Sequence, residues 1–266
     1  MFGSKTRSLD RLSFIVPGAQ KSGTTALHYF LSKHSQIALP DRQEMHFFDD
    51  EEIFSQHPID YQLLHRHFRT RARQGLWPIH SGLAGEVTPS YLYWKPAMER
   101  IRDYNPQIKL VVLLRNPIDR AFAHWNMQRF KNREPLDFLP ALKEEPRRTA
   151  VPLSIESRRF AYVGRGFYSA QLESVFELFP REQVKIVRFE NFRDRKQEAL
   201  DDIFDFLAVK RMKKVPGDKD RNVVPYARAM TADERKYLLE VFDYELAKLE
   251  QMLGWDLTNW KSGRSA

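Results

Sequence analysis

The chain has 266 residues, 42% of them hydrophobic, a formal net charge of +8 and no cysteine. That length can bury the core of one domain, and the missing thiols exclude disulfides, thiolate metal sites and a cysteine nucleophile. No apolar run reaches the roughly 18 residues of a membrane span, and no hydrophobic leader is visible, so a cytoplasmic protein is expected. A chain cut from a longer anchored protein would read the same and would then act in the Golgi lumen. The positive charge suits an anionic partner: a nucleotide, an acidic glycan, a nucleic acid or a membrane surface. The basic residues form scattered clusters, such as Arg129–Arg133 and Lys210–Lys214, and not one tract. Helix-turn-helix, zinc-finger and RNA-recognition signatures are missing, so no nucleic-acid partner is expected.

A tail over 1–12 leads into one domain over 13–260, with a second short tail over 261–266. An apolar run over 13–17 predicts a buried strand, and Leu27, Phe30 and Leu31 predict an amphipathic helix over 23–34. Between them, Gly18 and Gly23 bracket a tight turn. A helical pattern over 61–71 and a short strand over 84–87 follow. The continuously apolar 109–114 predicts a strand buried on both faces. A helix over 118–130 begins behind Pro117. Further along, 166–179 reads as a helix, 184–189 as a strand and 196–207 as a helix. A capping box, Thr231 with Glu234, opens a last helix over 231–253. Strands alternating with helices give a parallel sheet covered on both faces, whose ligands sit beyond the carboxyl ends of the strands.

Two strand ends carry unusual residues. After the first strand comes Gly18-Ala19-Gln20-Lys21-Ser22-Gly23-Thr24-Thr25. A glycine turn into a helix start is an anion cradle, because unpaired N–H groups and the helix dipole converge there. The glycine spacing is that of a nucleotide-triphosphate P-loop, yet the lysine precedes the second glycine by two residues and does not follow it. An ordinary strand–helix turn and a kinase-like NTPase with a degenerate loop remain open on this segment alone. The second strand end presents Arg115-Asn116-Pro117-Ile118-Asp119-Arg120. An arginine before a proline-started helix is well placed to clamp a phosphate, and helix capping is the plainer alternative.

Together these segments resemble the nucleotide-binding signatures of sulfotransferases that use 3′-phosphoadenosine-5′-phosphosulfate (PAPS). The loop Pro17–Leu27 looks like the family's phosphosulfate loop, and Leu113–Trp125 looks like its 3′-phosphate motif. Glu44-Met45-His46-Phe47-Phe48-Asp49, Gly85–Tyr91, Gly166-Phe167-Tyr168 with Leu172, and Phe206–Val209 point to the heparan-sulfate and bacterial carbohydrate branch. The resemblance spans 13–255 and implies a single α/β domain with a central parallel, P-loop-like sheet. It implies sulfuryl transfer from PAPS to a hydroxyl, or in second place an amine, of a carbohydrate or other natural product, leaving PAP. No metal is needed.

By the same resemblance, Gln20, Lys21, Ser22, Gly23, Thr24 and Thr25 should hold the phosphosulfate, and Arg115 the 3′-phosphate. Tyr168, Arg221, Asn222 and Tyr226 should close over the nucleotide. Lys21 should stabilise the departing phosphate, and Glu44 should take the acceptor's proton. His46, two residues on in an extended segment, would face the same side and assist. In the plainer reading Glu44 only pairs with Lys21 and His46 packs on a phenylalanine. Glu86 and Tyr91 are acceptor-side candidates, with a buried cap and a core aromatic as their alternatives. His65 and His67, with Arg66 and Arg69, could line the acceptor channel, and a solvated helical face is the favoured reading.

Two departures stand out. Ala123 occupies the family serine position, where Arg120, Asn126 or a water could substitute, and Val87 stands where the glycosaminoglycan branch often has lysine. Small-molecule and glycan acceptors therefore both remain open, acidic ones included. A non-catalytic nucleotide- or glycan-binding protein is the alternative from another class.

Overall fold

The computed structural model describes residues 9–73, 82–217 and 225–262. Five strands form one parallel sheet in the order β2-β3-β1-β4-β5. They are β1 (Phe14–Gly18), β2 (Ile37–Ala38), β3 (Leu83–Val87), β4 (Lys109–Leu114) and β5 (Val184–Arg188). In the first half of the chain the helices are α1 (Thr24–Ser32), α2 (Glu51–Phe54), α3 (Gln62–Arg73), α4 (Lys95–Tyr104), α5 (Pro117–Phe130) and α6 (Phe138–Arg148). In the second half they are α7 (Ile155–Phe160), α8 (Tyr168–Leu178), α9 (Phe189–Asp194), α10 (Lys196–Leu207), α11 (Ala232–Leu253) and α12 (Thr258–Ser262).

The period of two along β4 divides the core. Leu110, Val112 and Leu114 face one side, with α4, α5, α8 and α11 packed on them; Val111 and Leu113 face the other, with α1 and α10. All five are fully buried, which is why the segment is apolar without alternation. On α1, Leu27, Phe30 and Leu31 form the buried stripe; on α10, Leu200, Ile203, Phe204 and Leu207 do so. Phe14 of β1 pairs with Gly85 on one side and Lys109 on the other. A side chain at Gly85 would meet the Phe14 ring at 2.3 Å, so only glycine admits that ring beside β3.

Because β1 lies between β3 and β4, the chain reverses its direction of sheet growth there. Such a switch point opens a crevice at the carboxyl ends of the central strands. The loop after β1 and the start of α5 meet in it.

Several boundaries differ from the sequence reading. Phe189 starts α9 and does not extend β5, and a 3-10 turn over Gly164–Gly166 delays α8 to Tyr168. The two-residue β2 and the helices α4, α6 and α7 lie outside the predicted elements, although Ala97, Met98, Ile101 and Tyr104 of α4 and Phe138, Ala141, Leu142 and Glu145 of α6 recur at helical spacing on the buried face. The capping box is present in both halves, with the Glu234 N–H donating to Thr231 Oγ1 at 3.2 Å and the Thr231 N–H to Glu234 Oε2 at 2.8 Å.

Candidate active site

The loop from β1 to α1 turns through Gly23, whose φ of 89° lies in the left-handed region. Gly23 is also the N-cap of α1, and no side chain caps that helix. The first N–H groups of α1 therefore point outward together, as a bound oxyanion requires. Ser22 is fully buried, and Gln20 has a buried Oε1 without a partner. Lys21 has a φ of 69°, costly for a residue with a side chain, and sits at the crown. Burial lowers its pKa, helped by Arg115 and Lys131 and opposed by Glu44.

Arg115 leaves β4 beside this crown. Its Nη1 donates to the Lys21 carbonyl at 3.2 Å, and its guanidinium lies 5.1 Å from the centre of the Phe189 ring. The Tyr168 hydroxyl donates to the Arg115 carbonyl at 3.0 Å, so main-chain contacts fix this arginine from both sides. Tyr168 itself is fully buried, with burial pushing its pKa up to about 12. It supports Arg115 from within, where the sequence reading put it over the nucleotide. Tyr226 is half-exposed and stacks on Phe122 at 5.5 Å. Arg221 and Asn222 lie outside the described residues.

Ala123 is buried in α5, and two of its expected substitutes are engaged elsewhere. The Asn126 amide donates to the Pro225 carbonyl at 3.1 Å, and Arg120 turns inward to the Tyr162 carbonyl.

The opposite wall is the segment from Glu44 to Asp49. It is not extended: Glu44 and His46 both have φ near 53°, in the left-handed region. The two side chains still meet, but through two strained turns and not through a strand's alternation. His46 Nε2 lies 3.6 Å from Glu44 Oε2, and Nδ1 lies 3.0 Å from Asp49 Oδ2. Asp49 is fully buried; Ser90 Oγ donates to its Oδ2 at 2.5 Å and Arg158 Nη1 approaches that oxygen to 3.4 Å. Burial would lower the His46 pKa, but the hydrogen bonds to Asp49 and Glu44 outweigh it and raise it to about 9. Burial likewise pushes Asp49 up, and His46, Ser90 and Arg158 hold it below the ordinary carboxylate value. An imidazolium thus stands between two carboxylates at neutral pH.

Glu86 and Tyr91 are fully buried, which takes them off the acceptor side. The Tyr91 hydroxyl accepts the N–H groups of Phe47 and Phe48 at 3.0 and 3.4 Å and so anchors the Glu44–Asp49 turn. Glu86 accepts from Thr88 Oγ1 at 2.9 Å, and burial raises its pKa to about 7. His65 is buried too, its Nε2 lying 2.8 Å from the Tyr104 hydroxyl, while His67 pairs with Asp41 at 2.8 Å. His65 thus departs from the expected solvated face, and the half-buried His67 stays at its edge.

The residues missed by sequence reasoning are Ser90 and Arg158; Asp49 was visible only as the last letter of a motif. Among the described residues, no group of histidine, aspartate and glutamate could hold a metal ion. Nor is any described helix long and apolar enough to cross a membrane.

A protein-family model described as "Sulfotransferase family" matches residues 13–213. Among curated proteins, the chain is 24% identical to the human bifunctional heparan sulfate N-deacetylase/N-sulfotransferase 3, over 97% of this chain and 32% of that protein. The chain thus spans about a third of that relative's length. Among solved structures it is similar to a sulfotransferase from Alicyclobacillus acidocaldarius, with 30% identity, a TM-score of 0.74, and coverage of 94% of this chain and 99% of that one. A mouse sulfotransferase crystallised with PAP has the same fold at a TM-score of 0.52 and 16% identity, covering 97% of this chain and 90% of that one.

Proposed function

Because the chain belongs to the sulfotransferase family, we propose that it transfers a sulfuryl group from PAPS to a hydroxyl of a carbohydrate or other natural-product acceptor. An amine acceptor is the second choice. The observation that carries this reading is the uncapped start of α1 behind Gly23, with Lys21 at its crown and Arg115 Nη1 donating to the Lys21 carbonyl at 3.2 Å.

The residues fit the donor. The uncapped start of α1, the crown lysine and the Arg115 fork supply main-chain donors and two cations for a phosphosulfate and a second phosphate. The donor brings an activated sulfuryl group, and the protein's task is to position it and neutralise charge. As the acceptor oxygen forms its bond to sulfur, its proton passes to the Glu44 carboxylate. The bond from sulfur to the bridging oxygen breaks, its electron pair stays on that oxygen, and the Lys21 ammonium stabilises the charge. His46 is held protonated at neutral pH by Asp49 and Glu44, so it orients Glu44 and does not serve as the base. No step calls for a metal.

A kinase-like reading loses its ground with family membership and with the lysine in the loop crown. The heparan sulfate relative supports a glycan acceptor, and the net charge of +8 is compatible with an acidic one. The test is transfer from radiolabelled PAPS across a panel of neutral and acidic oligosaccharides and small alcohols and amines. Label should move to an acceptor without added metal. A protein that binds PAP but labels nothing would favour a non-catalytic binder.

A further inference from the structure

The turn from Phe47 to Asp49 is held by side chains from distant parts of the sequence. The Tyr91 hydroxyl accepts the Phe47 and Phe48 N–H groups, Arg100 Nη1 donates to the Phe48 carbonyl at 2.9 Å, and Arg158 Nη2 donates to the Asp49 carbonyl. Tyr91 and Arg100 grip main chain alone within this turn. Arg158 also approaches the Asp49 carboxylate, with Nη1 3.4 Å from Oδ2. One guanidinium therefore meets the same residue at its carbonyl and at its side chain, a two-point hold that suits a planar fork and not a single ammonium.

Arg158 is itself fixed. The helix that carries it, α7, opens on a reciprocal cap in which the Ser157 N–H donates to Ser154 Oγ at 3.0 Å and the Ser154 N–H to Ser157 Oγ at 3.1 Å. The Arg158 guanidinium lies 4.3 Å from the centre of the Trp94 ring. Trp94 is buried, and its Nε1 donates to Glu51 Oε1 at 2.8 Å. The Arg158 carbonyl accepts Arg165 Nη2 at 2.8 Å. From this fixed point a short relay runs to the proposed base. Asp49 Oδ2 lies 3.0 Å from His46 Nδ1, and His46 Nε2 lies 3.6 Å from Glu44 Oε2. The charged groups acting on His46 are Asp49 and Glu44, and His46 in turn acts on the buried Glu86.

We propose that Arg158 is a positioning residue for Glu44: its fork fixes Asp49, Asp49 fixes the His46 ring, and the ring orients the Glu44 carboxylate. The role rests on the sulfotransferase reading, which makes Glu44 the base. The plainer role, a cation that merely offsets the buried Asp49, has the opposite signature. As a bare positive charge, Arg158 would disfavour the His46 proton, so its removal would move the His46 titration up. As a clamp that keeps Asp49 against His46, it favours that proton, so its removal moves the titration down.

The test follows the His46 ring by NMR across pH in the full chain, in Arg158→Met and, for comparison, in Arg100→Met. In Arg158→Met the His46 pKa should fall from about 9 toward 6.5. Arg100→Met, which loosens the same turn without touching Asp49, should lower Tm and leave that titration in place. An unchanged or rising value in Arg158→Met, or an equal fall in both variants, would overturn the proposal. If Arg158→Met does not fold, the wild type decides: a two-point hold slows rotation of the Arg158 guanidinium and resolves its two Nη signals, and one averaged signal would contradict it. With an acceptor that takes label from PAPS, turnover of Arg158→Met should drop about tenfold at unchanged acceptor KM. A raised KM at unchanged turnover would make Arg158 an acceptor contact and sink the positioning role. The His46 titration uses neither PAPS nor acceptor. A lowered titration in a chain that labels no acceptor would keep the clamp and count against the sulfotransferase reading, and labelling with an unmoved titration would do the reverse.

Discussion

On the donor wall, the groups that would meet a ligand are main-chain N–H groups at a helix start and two cations. One of these, Arg115, is bonded to the Lys21 carbonyl and held through its own carbonyl by Tyr168. On the acceptor wall they are side chains: Glu44 and His46 on strained backbone, backed by Asp49, Ser90 and Arg158 from three separate segments. A main-chain cradle needs only a local turn of the right conformation, so it tolerates little change and reads the same wherever it occurs. A side-chain constellation is assembled by the fold and can be retuned one residue at a time. The contrast predicts that donor-wall changes will act on nucleotide binding, and acceptor-wall changes on turnover and its pH dependence.

The largest effect is expected at Glu44. Glu44→Gln should reduce turnover by about 10²–10⁴-fold while leaving PAP affinity intact, as loss of a general base does. Steady-state kinetics with calorimetry on the same sample checks both halves, and near-normal turnover would remove Glu44 from the proposed role. Next comes Arg115→Ala, expected to weaken PAP binding by roughly 10–100-fold through loss of charge-assisted hydrogen bonds. An unchanged PAP affinity would separate Arg115 from the nucleotide.

Asp49→Asn should cost about tenfold in turnover, as for a positioning residue one contact removed from the base. Its distinctive reading is the His46 titration. The His46 pKa, raised from 6.5 to about 9 in the folded protein, should fall back in the variant. The sign follows from that shift. Because the folded value is the higher one, the stability His46 contributes is fully present below pH 6.5 and is lost as pH rises through about 9. Wild-type Tm should therefore decline across that window more steeply than that of Asp49→Asn. Parallel Tm profiles would show that Asp49 does not hold the proton on His46. The smallest effect is expected at Ala123→Ser, which restores a hydroxyl on the α5 face behind Arg115. It should tighten PAP binding about fivefold, the net value of roughly one hydrogen bond.

The same contrast explains what the sequence made legible. The β1 loop, β4 and Arg115 lie in continuous stretches where glycine spacing, an apolar run and a proline-started helix each carry local information. The helical stripe of α10 and the capping box of α11 were readable for the same reason. The acceptor wall was readable only as a motif, Glu44 to Asp49. Its geometry came out differently, because left-handed φ values at Glu44 and His46 leave no mark in composition. Ser90 and Arg158 reach Asp49 across 41 and 109 residues of chain, and nothing near either residue announces the contact. Burial, which only the assembled core determines, moved Glu86, Tyr91 and Tyr168 from expected ligand contacts to supports behind them.

Calorimetry with PAP and with ATP–Mg²⁺, each titrated into the full chain, tests the central claim most directly. The displaced lysine and the Arg115 fork predict that PAP binds without metal and that ATP–Mg²⁺ binds far more weakly or not at all. Tight, magnesium-dependent ATP binding with no heat from PAP would contradict the account at its base.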